Sequence, residues 1–420
     1  MKKLMIIGYV WPEPSTTAAG HRMLQLIHTF KSFGYEITFG STAVKTEFSA
    51  DLEALGVRCV SLKLNHHSFD DFVQQLNPSV VVFDRFMVEE QFGWRVAESV
   101  PDAVRILNTE DLHSLRKTRE ECHKENIDFS IEQWLQKDIT KREVASIYRS
   151  DLTLLVSTFE LDLLTEELNI ANKLLLHLPF MLESVEEQPN WPSFEERQDF
   201  ITYGNGKHAP NVDSIKYLKE EVWPLIRRKL PKAELKIYGA YLPQHIQEMH
   251  NPKEGFHIMG WVEDLDTEIQ KARICLAPLR FGAGIKGKLI DAMRNGTPTI
   301  TTQIGAEGMH GNWPWNGAIA DEPISFAEQA VSLYQHKERW EQAQSNGIQM
   351  LTKCFSKANL EEKLRKAVEA AALDLQAHRN QNFIGQVLQH QTLASTKYMS
   401  KWIEEKNRKN SGFVIGLGYE

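Results

Sequence analysis

The sequence predicts an α/β protein built from two Rossmann-like, doubly wound halves. Three observations carry that expectation. Short apolar runs of strand length alternate with amphipathic stretches. The alternation stops in an acidic segment around residues 183–198. It then restarts with the same rhythm.

Residues 3–10 are apolar nearly throughout, as a strand buried on both faces must be. Pro12, Pro14, Ser15, Thr16, Thr17 and Gly20 make a small-residue loop. Met23, Leu24, Ile27, Phe30 and Phe33 then recur at helical spacing, and Gly34 ends that helix. Strand-like runs follow at 36–41, 57–62, 79–84, 104–108, 152–157 and 174–178. Glu183, Glu186, Glu187, Pro189, Pro192, Glu195 and Glu196 crowd the linker. Strand 199–203 leads into the loop Gly204–Asn211. The next helix carries Ile215, Leu218, Val222, Leu225 and Ile226 on one face. Further strands are expected at 234–238, 256–259, 273–278, 298–302 and 317–320. From about 360 the chain is helical and charged. A stretch over 383–408, with Tyr398 and Trp402 on one buried face, is expected to fold back over the first domain, and a Gly-rich tail follows. The expected division is 1–182, linker 183–198, 199–375, and 376–420.

The 420 residues are 42% hydrophobic and 25% charged, which is ordinary for a globular chain. The net charge of -8 argues against a nucleic-acid coat or a strongly basic membrane surface. Cys59, Cys122, Cys275 and Cys354 are scattered, with no CxxC, which fits reduced thiols in a cytoplasmic protein. No apolar run is long enough to cross a bilayer; peripheral contact with the inner membrane surface is left open. HExxH, GxSxG and the phosphate-binding GxxxxGK[ST] are all missing, so metal-site proteolysis, serine hydrolysis and Walker-type hydrolysis lack support.

The most informative segment runs from Ile274 to Met293: a strand, the glycine loop Gly282-Ala283-Gly284-Ile285-Lys286-Gly287, then a helix. The glycines satisfy GxGxxG, but the next strand ends Thr301-Thr302-Gln303, without the acid that a dinucleotide ribose needs. No cofactor is expected. Lys286 and Lys288 open the helix, at the end where the dipole disfavours cations. Two lysines there, beside free backbone N–H groups, suit an anion such as a diphosphate. Asp291 shares a face with Lys288 and could accept from ribose hydroxyls; on spacing alone an ordinary surface Lys–Asp pair is the commoner reading.

This segment resembles the GT-B glycosyltransferases, in particular the group around family GT4. The resemblance rests on Ala277–Arg280, Gly282–Lys288, Asp291–Met293, Gly296–Pro298 and Gly305-Ala306-Glu307-Gly308. Gly204–Val212, Trp223-Pro224, Leu235–Gly239 and Gly260–Asp264 accompany them. It implies two Rossmann-like domains facing across a cleft, with a nucleotide diphosphate sugar held on the C-terminal one and a glycan, lipid or protein hydroxyl on the N-terminal one. Transfer would need no metal. Lys288 and Lys207 would grip the diphosphate. Gly239, Trp261 and Val262 would shape the base pocket, with Trp261 stacking on a base, although burial in the core is the commoner fate of a tryptophan. Gly305 and Gly308 would let backbone approach phosphate. Gly284 and Lys286 belong to the same loop, and Arg280 could reach phosphate or make an ion pair between domains. The family's pair of glutamates would fall on Ala283 and Asp291, so the first is absent here and the second is an aspartate.

On the acceptor side, Asn108-Thr109-Glu110-Asp111-Leu112-His113 ends a strand, where open α/β sheets gather ligands. Asp111 or His113 could act as general base; Asp111 could equally cap the following helix. Ser15, Thr16, Gly20 and Asp84 are further acceptor-side candidates. Two rival readings share the architecture: a sugar-nucleotide 2-epimerase, and a silent binding module.

Overall fold

The structure, a computed structural model, describes residues 2–183 and 190–390 together with Tyr398 and Trp402. Two all-parallel sheets account for the described strands. The first holds β1 (Lys2–Gly8), β2 (Tyr35–Ser41), β3 (Arg58–Ser61), β4 (Val80–Asp84), β5 (Val104–Asn108), β6 (Leu152–Leu155) and β7 (Leu175–His177). Their order is β3-β2-β1-β4-β5-β6-β7. The second holds β8 (Gln198–Tyr203), β9 (Leu235–Tyr238), β10 (Phe256–Gly260), β11 (Ala272–Ala277), β12 (Thr299–Thr301) and β13 (Gly317–Ile319), in the order β10-β9-β8-β11-β12-β13. Every apolar run expected as a strand is one. The physical reason is visible in β4, where every residue is buried and Val80–Phe83 are all apolar: strands covered on both faces are apolar over most of their length.

Both sheets reverse strand order beside their first strand. At that point the carboxyl ends of neighbouring strands splay apart and leave a crevice. The crevices of the two sheets face one another. Helix Ala18–Ser32 begins at this edge. Thr17 caps it by accepting the Gly20 N–H at 3.0 Å.

The chain returns to the first sheet earlier than the sequence suggests. The expected boundary at 375 places helix Lys357–Leu373 in the C-terminal half, but Leu360, Leu364, Val368 and Ala371 pack with Leu4, Ile6, Val80 and Ile106 beneath the first sheet. The crossing occurs at Leu182, whose N–H donates to Phe355 O while its own carbonyl accepts from Lys357. Beyond it, Arg379 donates to both carboxylate oxygens of Asp151 at 2.8 Å, and Asn382 Nδ2 reaches Tyr148 O at 2.7 Å. Helix Phe383–Gln389 follows. Tyr398 and Trp402, expected on a buried face, are 66% and 58% exposed. The rest of 391–420, including the Gly-rich tail, and linker residues 184–189 lie outside the described residues.

Candidate functional site

The second sheet presents the glycine loop to the first. Gly284 has φ +64°, and a Cβ there would lie 2.8 Å from Asp111 Cβ. A Cβ on Gly287 would lie 2.5 Å from Ala18 Cβ. These two glycines let the loop press against the N-terminal domain where any side chain would hold it off. Lys286 caps nothing with its side chain; its ammonium donates back to Gly284 O at 2.8 Å, closing the loop on itself. Burial lowers Lys286 to about 8, against the pull of Glu307 upward.

Lys288 differs. It is partly buried, and its ammonium makes no hydrogen bond or ion pair among the described residues. Burial holds it at about 8. Helix Gly287–Arg294 behind it has no side chain capping its N-terminus. Asp291 sits 3.7 Å from Arg294, not on Lys288; burial moves its carboxyl upward despite that arginine.

A buried acid and a buried base, Glu160 and Arg119, fasten the loop from the other domain, and sequence reading singled out neither. Glu160, fully buried on helix Thr158–Asp162, accepts from Gly284 N at 2.7 Å and Leu112 N at 2.9 Å. Burial raises its carboxyl to about 8, reinforced by Asp111. Arg119 grips Glu307 through two bonds at 2.8 and 2.9 Å and also donates to Gly282 O at 2.9 Å. The pair joins residues 188 apart in sequence, which no local pattern reveals. Gly308 adopts φ +70° where a Cβ would strike Ser157 Oγ. It serves domain contact. Gly305 donates its N–H to Thr302 Oγ1 at 3.1 Å, so that group is not free for phosphate.

Asp111 faces the glycine loop but does not cap the helix His113–Glu125. The cap residue is Leu112, and the first N–H groups go to Glu143, which accepts from His113 and Ser114 at 2.9 Å each. Asp111 instead binds Arg116 Nε at 2.6 Å and lies 2.8 Å from His113 Nδ1. Burial acts upward on its carboxyl, yet Arg116 and His113 hold it well below the usual range; His113 is correspondingly raised against its own burial. Asp84, at the end of β4, is buried, and its Oδ2 accepts the Tyr9 N–H at 3.2 Å. Thr16 turns its hydroxyl to Glu13 at 2.9 Å, and its carbonyl accepts from Asn205 across the cleft at 3.4 Å. Gly20 is buried against the Glu13 backbone, and Ser15 is exposed beside it.

A groove of about 580 Å³ opens on the C-terminal side, lined by Gly239, Tyr241, Met259 and Trp261, with Phe48 reaching over from the N-terminal domain. Phe48 lies 5.5 Å from the rings of both Tyr241 and Trp261. Trp261 is 45% exposed, so it is not a core residue. Val262 turns away and packs against the cluster of Ile201 and Tyr203. Lys207 sits with its ammonium 3.5 Å above the Tyr241 ring, at the groove rather than beside Lys288. Arg280 does not make the ion pair between domains. It is bound to Asp213 of its own domain at 2.9 and 2.5 Å and stacks on Tyr217. His208 faces the cleft instead, where Arg116, Asp111, Lys288 and Arg85 all act on it. Among the described residues no group of acids, histidines or cysteines is arranged to hold a metal, and no helix is long and apolar enough to cross a membrane.

Comparison with known proteins bears on this geometry. Residues 197–336 match the family model described as glycosyl transferases group 1. A curated relative, an uncharacterized protein in the cps region of Klebsiella pneumoniae, is 26% identical over 136 residues. The match covers 31% of this chain and 35% of that protein, so the chain spans about a third of that relative's length. Among solved structures, sucrose-phosphate synthase from Thermosynechococcus elongatus superposes with a TM-score of 0.66 at 14% identity, over 88% of this chain and 99% of that one. A mutant of S. aureus TarM, solved with fondaparinux, alpha-GlcNAc-glycerol and UDP, gives 0.67 at 9% identity, over 88% and 100%. Anabaena HepE, solved with UDP and glucose, gives 0.61 at 12% identity, over 88% and 100%. At these identities the likeness is one of fold, and that fold is GT-B.

Proposed function

We propose, from the premise that residues 197–336 form a group 1 glycosyltransferase domain, that the chain moves a sugar from a nucleotide diphosphate sugar to a hydroxyl of a glycan, lipid or protein. The observation that carries this reading is Lys288. A partly buried ammonium with no partner among the described residues, beside an uncapped helix N-terminus, is a site for an anion of more than one charge. The groove with Tyr241 and Trp261 lies on the same domain and suits a flat base. Gly284 and Gly287 bring the acceptor-side domain into contact with the loop between them.

In this reading the base stacks in the groove and the diphosphate lies against Lys288 and the helix N–H groups. As the bond from the anomeric carbon to the diphosphate breaks, negative charge grows on the leaving oxygen. Lys288 and the helix end are already aimed at it, which stabilises the transition state more than the ground state. Lys207, now over the Tyr241 ring at the groove, would have to leave that ring to reach a phosphate. Lys286, Gly305 and Gly308 hold the loop and the domains in place. The cations replace a metal in neutralising the leaving group. Uridine is the first base to test, because TarM and HepE were solved with UDP.

The test is release of nucleoside diphosphate from UDP-, GDP- and ADP-hexoses, with and without p-nitrophenyl glycosides as acceptors, before and after EDTA. Acceptor-dependent release that survives EDTA is expected. Loss of release with EDTA would contradict the metal-free step. Conversion of one sugar nucleotide to another without acceptor would favour an epimerase. Binding without either reaction would favour a silent module.

A further inference from the structure

Two of the contacts across the cleft, Glu160 on Gly284 and Arg119 on Glu307, bear on the glycine loop and its surroundings. A third stands over the aromatic groove. Phe48 belongs to the N-terminal domain, on the loop that follows β2. Its ring nevertheless lies against Tyr241 and Trp261 of the C-terminal domain, 5.5 Å from each, centre to centre. It is half-buried, while Lys45, Thr46 and Glu47 beside it are exposed. A loop this polar offers the ring little of its own to pack on; the ring finds its partners on the opposite domain.

The loop holds that ring in place. Phe48 N–H donates to Thr46 Oγ1 at 3.2 Å, Thr46 N–H to Ser49 Oγ at 2.9 Å, and Ala50 N–H to Pro12 O at 2.8 Å. Glu13 then joins the loop to the groove. Its Oε1 accepts from Thr46 Oγ1 at 2.6 Å. Its Oε2 accepts from Thr16 Oγ1 at 2.9 Å and from the Tyr241 hydroxyl at 3.3 Å. One carboxylate thus ties two loops of the N-terminal domain to the aromatic wall of the C-terminal one. Tyr241 itself is held at φ +57°, which bulky side chains rarely adopt. A Cβ on Gly206 would lie 2.3 Å from its carbonyl oxygen, so only glycine there lets the tyrosine take that turn. Backbone strain of this kind persists where the surroundings fix the direction of a side chain.

We propose that the N-terminal domain supplies Phe48 as a wall of the donor's base groove, with Glu13 as the positioning residue that keeps it there, so that both domains grip the nucleoside diphosphate. The inference rests on the transferase reading above and extends its donor site. The groove stays open at about 580 Å³ with Phe48 in place, and Met259 and Trp261 within it remain 48% and 45% exposed. Phe48 is therefore a wall of the site and not a plug in it. A flat base laid on Trp261 takes that apolar surface out of water and meets the Phe48 ring at its rim. The two ends of the nucleotide then differ. The diphosphate touches the C-terminal domain through Lys288, whereas the base touches both domains. A ligand that contacts both binds the closed arrangement better than an open one and shifts the population toward it. Inorganic pyrophosphate, which reaches Lys288 alone, has no such hold.

The experiment titrates the full chain with UDP, GDP and ADP, and with inorganic pyrophosphate, by calorimetry. Phe48→Ala is expected to raise the Kd of the nucleotide that the unaltered chain binds best by about 5- to 100-fold, the loss of one contact between a base and an aromatic ring. Pyrophosphate should bind both chains alike, which also shows that the variant is folded. Phe48→Tyr keeps a ring in place and should retain the affinity. Glu13→Ala should weaken the same nucleotide and spare pyrophosphate. It should cost less in the Phe48→Ala background than alone, because it acts through that ring. Full additivity overturns the positioning role of Glu13. Unchanged or tighter nucleotide binding by Phe48→Ala overturns the inference alone, the tighter case making Phe48 a plug. A loss shared equally by pyrophosphate overturns it too, since that marks a general loosening of the domains. So does Phe48→Tyr as weak as Phe48→Ala. Binding of none of the three nucleotides by the unaltered chain overturns the reading of the cleft as well.

Discussion

The affinity of the cleft for UDP should fall as pH rises past about 8, and Lys288 should be the cause. Burial holds that ammonium at about 8 instead of its ordinary 10.5. A diphosphate oxygen against it favours the charged form and raises the value in the complex. Full restoration would be worth roughly 3 kcal/mol at about 1.36 kcal/mol per unit. That is an upper limit, because the side chain is only partly buried. The sign follows directly. Below pH 8 the free protein already carries the proton, and affinity is flat. Above it, binding must take up a proton, and affinity drops by up to about tenfold per pH unit until the pKa of the complex is reached. Isothermal titration between pH 7 and 9, in two buffers of different ionisation enthalpy, reads both the affinity and the proton uptake. Lys286 also sits at about 8, but its ammonium is engaged with Gly284 O. Lys288→Arg separates the two, since a guanidinium stays charged throughout. It should bind UDP with little dependence on pH. Equal affinity at pH 7 and 9 in the unaltered chain, or an unchanged slope in Lys288→Arg, would refute the reasoning.

Two further outcomes follow from contacts between and within the domains. Arg119→Ala leaves the Glu307 carboxylate without the pair that buries it, and should cost about 3–5 kcal/mol in urea unfolding. A loss under 1 kcal/mol would mean that the clasp is marginal. Trp261→Ala removes an exposed ring from the groove, and should weaken UDP binding by about 1–3 kcal/mol while leaving Tm unchanged, because the ring is not packed in the core. Unchanged affinity would take the base out of that groove.

The strands were legible because apolar residues dominate most of them, the pattern that burial on both faces favours, and β4 shows it most plainly. The glycine loop was legible for a related reason: Gly284 and Gly287 stand where no Cβ fits. What failed were statements about who meets whom. Arg280 found Asp213 one helix away, and Glu307 found Arg119 on the opposite domain. Both outcomes depend on the three-dimensional meeting of elements, not on spacing. Glu160 and Glu143 read as ordinary helical acids; only the fold shows that they hold the N–H groups at the start of another helix. The C-terminal boundary slipped for the same cause. The stripe of Leu360, Leu364 and Val368 predicts a buried face but does not say which sheet covers it.

The central claim is that one cleft holds a nucleoside diphosphate with its base in the aromatic groove and its phosphates on Lys288. Diffraction from crystals of the full chain grown with UDP tests it most directly. The account predicts the uracil ring against Trp261 and Tyr241, and a phosphate oxygen within about 3 Å of Lys288 Nζ and the first N–H groups of helix Gly287–Arg294. UDP bound elsewhere, or with its phosphates away from Lys288, would contradict it.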